Sequence, residues 1–280
     1  YVVSRLAQAS IAIVNKVQLS AAALQQLPEL KLICMAATGV NNVDLDAAAR
    51  LGISVCNVRG YANTAVPQHV IALLLQLTNK ISQYHQAVAN GLWSQSKHFC
   101  LLDYPVTELA GKNFVVIGYG ALGQASAQLA KAFGMQIIVA EQPDATSCRS
   151  GRVPFLTALA QADVISLHCP LNAQTEKLFN QQVFAAIKPG ALLINTARGG
   201  LIDEAALLQA LRLGQLGGAA LDVLSQEPPP ADHLLLRSDL PNLIVTPHMA
   251  WASAEARQRM VVQLKQNIEA FISGKELNRV

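Results

Sequence analysis

Arg198, Asp222 and His248 each stand directly behind an apolar, strand-like run in the second half of the chain. Arg198 follows LLINTA, Asp222 closes GAALD, and His248 follows LIVTP; Glu227 lies just beyond Asp222, ahead of Pro228-Pro229-Pro230. An imidazole can give or take a proton near neutral pH. A carboxylate bonded to that imidazole favours its charged, proton-donating form. A guanidinium offers a planar fork that holds a carboxylate and polarises a neighbouring carbonyl. Such a set suits the protonation of an alkoxide that develops beside an acid group.

A second constellation says what would accompany that proton. Asn113 to Glu141 reads NFVVIGYGALGQASAQLAKAFGMQIIVAE: an apolar run, the turn Gly118-Tyr119-Gly120-Ala121-Leu122-Gly123, a helical pattern to Phe133, and another apolar run ending in an acid. Gly118 allows a tight turn out of a strand, Gly120 lets backbone approach a pyrophosphate, and Gly123 lets helix pack on sheet. The helix start offers free N–H groups and a positive dipole end to phosphates. Glu141 stands where a carboxylate accepts bonds from an adenosine ribose. A bare glycine turn is weak evidence, and the same unit also binds S-adenosylmethionine. Strand, helix, second strand and terminal acid together point to a dinucleotide. Glu141 would repel a 2′-phosphate and Gln142-Pro143 follow it with no arginine, which favours NAD over NADP. Arginine, carboxylate, histidine and nicotinamide on one sheet rim fit hydride exchange with a 2-oxo acid.

These residues require a doubly wound parallel sheet. Strands are expected at 114–118, 136–141, 163–168, 192–196, 218–223 and 243–246, with a weak one at 153–155. Helices are expected at 121–133, 156–162, 180–187 and 204–213. The first sixty or so residues form a second βα series, with strands at 11–14, 32–37 and 53–58 and helices at 2–9, 21–27 and 44–51. Thr64 is expected to cap a long helix through Gln76 and on toward Ala89, with Pro67 in its first turn. Residues 253–273 read as one amphipathic helix.

Composition sets the outer bounds. The chain has 280 residues, 52% of them apolar and 14% charged, with net charge +3, which fits α/β domains with buried strands. Its basic residues form no run, so neither nucleic acid nor a membrane surface is an expected partner. The 5 cysteines are odd in number, scattered and never C-x-x-C, which suits a reducing, cytoplasmic setting. No cluster has metal-ligand spacing, so no metal is expected. The chain opens with Tyr1 and a helix rather than a strand, and reads as N-terminally truncated.

RGYANTAVPQHVIALLL, GYGALG, DVISLHCPL, LLINTARGGLIDEAAL, GAALDVLSQEP and TPHMAWAS together resemble the D-isomer-specific 2-hydroxyacid dehydrogenases over nearly the whole chain. ATGVNNVDL, HFCLLDYPVTELAGK and HMAWAS are most similar to the glycerate dehydrogenases (hydroxypyruvate reductases) of that family. The resemblance implies two α/β lobes with the active site between them. One is a Rossmann NAD-binding domain over residues 65–252. The other is a smaller flavodoxin-like substrate domain, residues 1–64 plus 253–280, that lacks its first strand. It implies Arg198 as substrate-binding residue, His248 as proton donor and Glu227 as its partner. Thr64, Leu122, Cys169, Pro170, Thr196, Ala197 and Asp222 would join the glycine turn at the cofactor, and Thr38, Gly39 and Val40 would hold a substrate carboxylate as an anion nest. A homodimer is implied, with an irregular apolar arm near 92–110 as its contact. Reduction of glyoxylate or another 2-oxo acid is the alternative, and an NAD(H)-sensing protein like the C-terminal-binding corepressors is a more distant one. His168 is assigned to cofactor packing, while His69, His85, His98 and His233 read as surface or helix residues. Trp251 reads equally as core or as pocket border.

Overall fold

The structure, a computed structural model, describes residues 1–280. Two units separate by their internal contacts: Tyr1–Ala62 with Ala252–Val280, and Asn63–Trp251. In the first, α1 (Val2–Leu6), β1 (Ile11–Val14), α2 (Ala21–Leu24), β2 (Leu32–Met35), α3 (Leu45–Arg50) and β3 (Ser54–Cys56) build a parallel sheet in the order β1-β2-β3. Local chemistry starts the helices: the Ser20 and Asp44 side chains accept from the amides of Ala23 and Ala47. The strands are short because their apolar runs are short, and β2 is buried along its whole length.

The second unit begins with α4 (Ala65–Asn79) and α5 (Ile81–Ala89). The sequence led us to expect one continuous helix here. Instead Lys80 takes a left-handed conformation (φ 56°) and divides it. Thr64 occupies the cap position of α4, but its side chain makes no capping bond. Next come β4 (Asn113–Ile117), α6 (Ala121–Ala132), β5 (Gln136–Val139), α7 (Phe155–Gln161), β6 (Val164–Leu167), α8 (Gln181–Ala186), β7 (Ala191–Asn195), a 3-10 turn at Gly199–Leu201, α9 (Glu204–Arg212), β8 (Leu216–Leu221) and β9 (Leu243–Val245). The weak strand expected at 153–155 reduces to one bridge, Ala140 with Val153, and Phe155 already belongs to α7. Finally α10 (Ala254–Ile272), capped by Ser253, returns to the first unit and packs on β2.

All six strands of the larger sheet are parallel, in the order β5-β4-β6-β7-β8-β9. Alternation along the strands sorts the core into two layers. Val115, Ile117, Ile165, Leu167 and Leu193 pack with Phe155, Leu159, Phe184 and Leu211. Phe114, Val116, Val164 and Ile194 pack with Val70, Leu74, Ala127 and Ala130. Helices therefore cover both faces, and the chain reverses direction of travel across the sheet after β5. In such a sheet, ligands collect at the carboxyl ends beside that reversal. No helix is long and apolar enough to cross a membrane.

The glycine turn shows how tightly α6 sits. A Cβ on Gly123 would lie 2.2 Å from the carbonyl oxygen of Gly118, whereas one on Gly120 would meet nothing within 4 Å. Gly123→Ala is therefore expected to cost about 3 kcal/mol or more of stability, and Gly120→Ala less than about 1 kcal/mol. Urea unfolding of the two variants checks the difference.

Candidate functional site

The glycine turn leaves β4 at Gly118, whose φ of +95° suits glycine alone. A side chain there would strike the backbone of Cys169 at 2.5 Å, so the ends of β4 and β6 approach too closely for any other residue. Gly120 is the N-cap of α6, in extended conformation and without a side-chain cap. The first amides of that 12-residue helix thus have no side-chain cap, and a Cβ on Gly120 would meet only open space. Nearby in sequence to Arg198, the Thr196 hydroxyl is buried with no hydrogen-bond partner. An open helix start and an orphaned buried hydroxyl, both behind strands of one parallel sheet, fit a dinucleotide with polar groups at each end.

Glu141 does lie at the end of the second strand, but its carboxylate is not free. It is 4% exposed. It accepts from the amides of Gln142 (2.8 Å) and Arg149 (3.0 Å), from Arg149 Nε (2.9 and 3.1 Å to its two oxygens) and from Arg149 Nη2. The Arg149 bond, against the opposing effect of burial, holds this carboxyl well below the usual carboxylate range.

At the other end of the sheet, His248 Nδ1 and Glu227 Oε2 are 2.6 Å apart. A carboxylate is the acceptor in that bond, so Nδ1 carries the hydrogen and Nε2 is left for other chemistry. The other Glu227 oxygen accepts from the amide of Leu224 (3.0 Å), which ties it to the end of β8. Arg198 is drawn toward the same loop by two devices. Asn195, at the end of β7, donates to the Arg198 carbonyl (2.9 Å) and accepts from the Ala197 amide (3.0 Å), turning the chain. Gly199 then sits so close to Leu224 that a Cβ would fall 1.9 Å from its carbonyl carbon. The Arg198 and Glu227 loops therefore meet at Leu224. Nothing in the sequence pattern singled out Gly199; its close approach depends on strands distant in the chain.

Asp222 anchors the histidine. Its carboxylate, 1% exposed, accepts from the Met249 amide (2.9 Å), the Ala250 amide (2.8 Å) and the Thr246 hydroxyl (2.6 Å). These bonds bracket His248, which takes a left-handed conformation (φ 52°) that a non-glycine residue adopts at a cost of roughly 1 kcal/mol. His69 completes the group, with Nε2 at 3.2 Å from Thr246 Oγ1 and 3.5 Å from Asp222. The Thr246 hydroxyl gives its one hydrogen to Asp222, so His69 Nε2 must donate to it. His69 is a helix residue as expected, on α4, with its side chain largely covered. His233, expected at the surface or on a helix, is a correction: it is buried outside any helix and bonds Glu204 (3.1 Å), which also holds the Ser225 amide and hydroxyl.

The remaining sites are quieter. His168 bonds Ser166 (2.8 Å), and burial lowers its pKa to about 4, so it is neutral near pH 7. Burial pushes the Cys169 thiol up to about 11, which leaves it unreactive. In the first unit, Thr38 to Val40 follow β2; the Thr38 hydroxyl donates to the Val58 carbonyl (2.9 Å), and Asn57 donates to the Thr38 carbonyl (2.8 Å).

Comparison with known proteins agrees with this reading. The profile of the D-isomer specific 2-hydroxyacid dehydrogenase NAD binding domain matches residues 71–250. The chain is 49% identical to the glycerate dehydrogenase of Methylorubrum extorquens over 279 residues, covering 100% of this chain and 88% of the relative. It is 37% identical to the hydroxypyruvate reductase of Blautia hydrogenotrophica over 282 residues, 100% and 87% of the two chains. Among solved structures, the D-lactate dehydrogenase from Aquifex aeolicus complexed with NAD and lactic acid superimposes with a TM-score of 0.83 at 28% identity, covering 97% of this chain and 85% of that one.

For Asp222, burial raises the pKa, but the bonds from His69, Thr246 and the two amides outweigh it and the net shift is downward. A carboxyl depressed on folding stabilises above its unfolded pKa and loses that contribution as pH falls through the folded value. Asp222→Asn is therefore expected to be less stable than the parent at pH 7, with the gap narrowing below about pH 4. Urea midpoints at several pH values test this; a gap that stays constant with pH would contradict it.

Proposed function

The chain belongs to the D-isomer-specific 2-hydroxyacid dehydrogenases, and on that premise we propose that it interconverts hydroxypyruvate and D-glycerate. It is an NAD-dependent enzyme, and the cofactor supplies or accepts the hydride at the carbon bearing the substrate oxygen. Every other task falls to side chains of the protein. His248 donates the proton from Nε2 to the oxygen as it gains charge, and in the reverse direction takes it back. Glu227 accepts the Nδ1 hydrogen, which fixes the tautomer and orientation of the ring. Arg198 binds the substrate carboxylate and polarises the carbonyl. In the forward direction the imidazolium becomes neutral as the alkoxide becomes a hydroxyl, so charge and protons balance.

The observation that carries this reading is the 2.6 Å bond from His248 to Glu227 on a loop fixed by buried Asp222. It fits an imidazole held in one orientation and one tautomer, as a proton donor requires. For the cofactor, we assign the pyrophosphate to Gly118, Gly120, Leu122 and Gly123, and the adenosine ribose to the region of Glu141. Thr64, Cys169, Pro170, Thr196, Ala197 and Asp222 are assigned to the nicotinamide end, where the unpartnered Thr196 hydroxyl supports the choice. The 49% identity to a glycerate dehydrogenase favours hydroxypyruvate over glyoxylate or bulkier 2-oxo acids.

We also propose a homodimer joined through the arm near 92–110. Phe99 is 91% exposed and Leu102 85%. The arm is nevertheless fastened at its base, where Tyr84 donates to the Tyr104 carbonyl (2.7 Å) and Trp93 donates to the Phe99 carbonyl (2.9 Å). Fixed backbone that presents bare apolar side chains suits a contact with a second copy.

His248→Ala is expected to lower kcat by roughly 10²–10⁴-fold while NADH still binds in a fluorescence titration. An unchanged kcat would remove His248 from the mechanism. Across a panel of 2-oxo acids at fixed NADH, hydroxypyruvate is expected to give the highest kcat/KM; glyoxylate in first place would change the substrate assignment. Replacing both Phe99 and Leu102 by Asp is expected to shift sedimentation from dimer to monomer.

A further inference from the structure

Leu224 and His233 are both buried, but no residue between them is, and Glu227 stands in that stretch. Hydrophobic packing therefore does not decide where Glu227 points. Nor is a ladder of backbone bonds available, because Pro228, Pro229 and Pro230 carry no amide hydrogen. The loop is closed instead by a carboxylate that lies outside the pair of Glu227 and His248.

That carboxylate is Glu204, the first residue of α9, a helix rooted in the core by Leu207 and Leu211. Its side chain is 10% exposed. One oxygen accepts from the Ser225 amide (2.8 Å); the other accepts from the Ser225 hydroxyl (2.8 Å) and from His233 Nε2 (3.1 Å). A carboxylate can only accept, so His233 carries its hydrogen on Nε2 and turns Nδ1 to the amide of Leu235 (3.4 Å). Glu204 thus grips the chain before Glu227, at Ser225, and after it, at His233. Two successive amides are shared between the two acids: that of Leu224 goes to Glu227 (3.0 Å) and that of Ser225 to Glu204. The backbone that aims Glu227 is pinned at the very next residue.

We propose that Glu204 is a positioning residue: acting through Ser225 and His233, it sets where Glu227 stands against His248. The inference rests on the role proposed for that pair in proton transfer. The bonds of Glu204 go to the loop rather than to the histidine, so it acts only through Glu227. A bond of 2.6 Å between Glu227 and His248 leaves little room for drift, and a displacement of about 1 Å can cost on the order of 10²-fold in rate.

A double-mutant cycle in the full chain tests this, with kcat for hydroxypyruvate at saturating NADH and the NADH Kd by fluorescence titration. Glu204→Ala is expected to lower kcat by about tenfold or more while the NADH Kd stays within about twofold of the parent. In a Glu227→Gln background the same change is expected to lower kcat by less than about twofold, because the group it positions is already gone. A variant that merely reduced the folded fraction would lower kcat by one factor in both backgrounds. A thermal melt checks folding. Should Glu204→Ala fail that check, Glu204→Gln, which keeps one acceptor oxygen, takes its place, with a loss of about threefold or more expected in the parent background. A loss below about twofold in the parent background, or an equal loss in both backgrounds, overturns the inference and leaves the dehydrogenase assignment standing. If Glu227→Gln itself stays within about twofold of the parent, the reading of the pair fails and the inference falls with it.

Discussion

One buried carboxylate holds the loop that carries His248 in place. Asp222 has left water almost completely, which alone would drive it to the neutral form, yet two amides, a hydroxyl and His69 converge on it and keep it charged. A buried charge of this kind is tolerated only when its bonds are complete. The requirement runs both ways: the loop through Met249 and Ala250 cannot move without stranding the carboxylate. His248 inherits that rigidity, including a left-handed backbone that nothing in its own chemistry favours.

A second constraint is the crowding of strand ends. Gly118 against Cys169 and Gly199 against Leu224 are places where two backbones pass with no room for a side chain. The first draws the glycine turn against the end of β6. The second brings the loop of Arg198 to the residue whose amide also holds Glu227. Three strand-end loops are thus located by backbone contact and by one carboxylate, not by flexible surface pairs. The geometry follows from the parallel order of the strands, because only parallel strands deliver all their carboxyl ends to one edge.

What the sequence made legible follows the same division. Apolar runs such as Phe114 to Ile117 and Leu192 to Ile194 are continuous because both faces of those strands are covered, so their existence could be read directly. Residues that follow a strand immediately, Arg198, Asp222 and His248, were legible for that reason. Interactions that require a loop to return were not. Arg149 reaches Glu141 only because Val153 bridges back to Ala140, in a stretch whose pattern suggested a short strand. At the break the left-handed position is taken by Lys80 rather than by a glycine or asparagine, the residues that usually hold it. His69 and His233 acquire their roles from partners far away in the chain, Thr246 and Glu204, and periodicity carries no information about those.

Three carboxylates in the larger unit show how environment separates structural work from chemical work. Asp222 and Glu141 are buried, saturated with donors and depressed in pKa, so neither can exchange a proton near neutral pH. Glu227 is different: its side chain is 32% exposed, and one of its oxygens faces an imidazole whose own side chain is 26% exposed. An acid that must respond as its partner changes charge gains nothing from being locked into a cage of amides. It needs one fixed bond to hold its direction, here from Leu224, and one oxygen left for the histidine. By that criterion Glu227 suits the role proposed for it beside His248. Asp222 suits the loop that carries it, and Glu141, neutralised by Arg149, shapes the charge of the surface around it rather than bearing that charge itself.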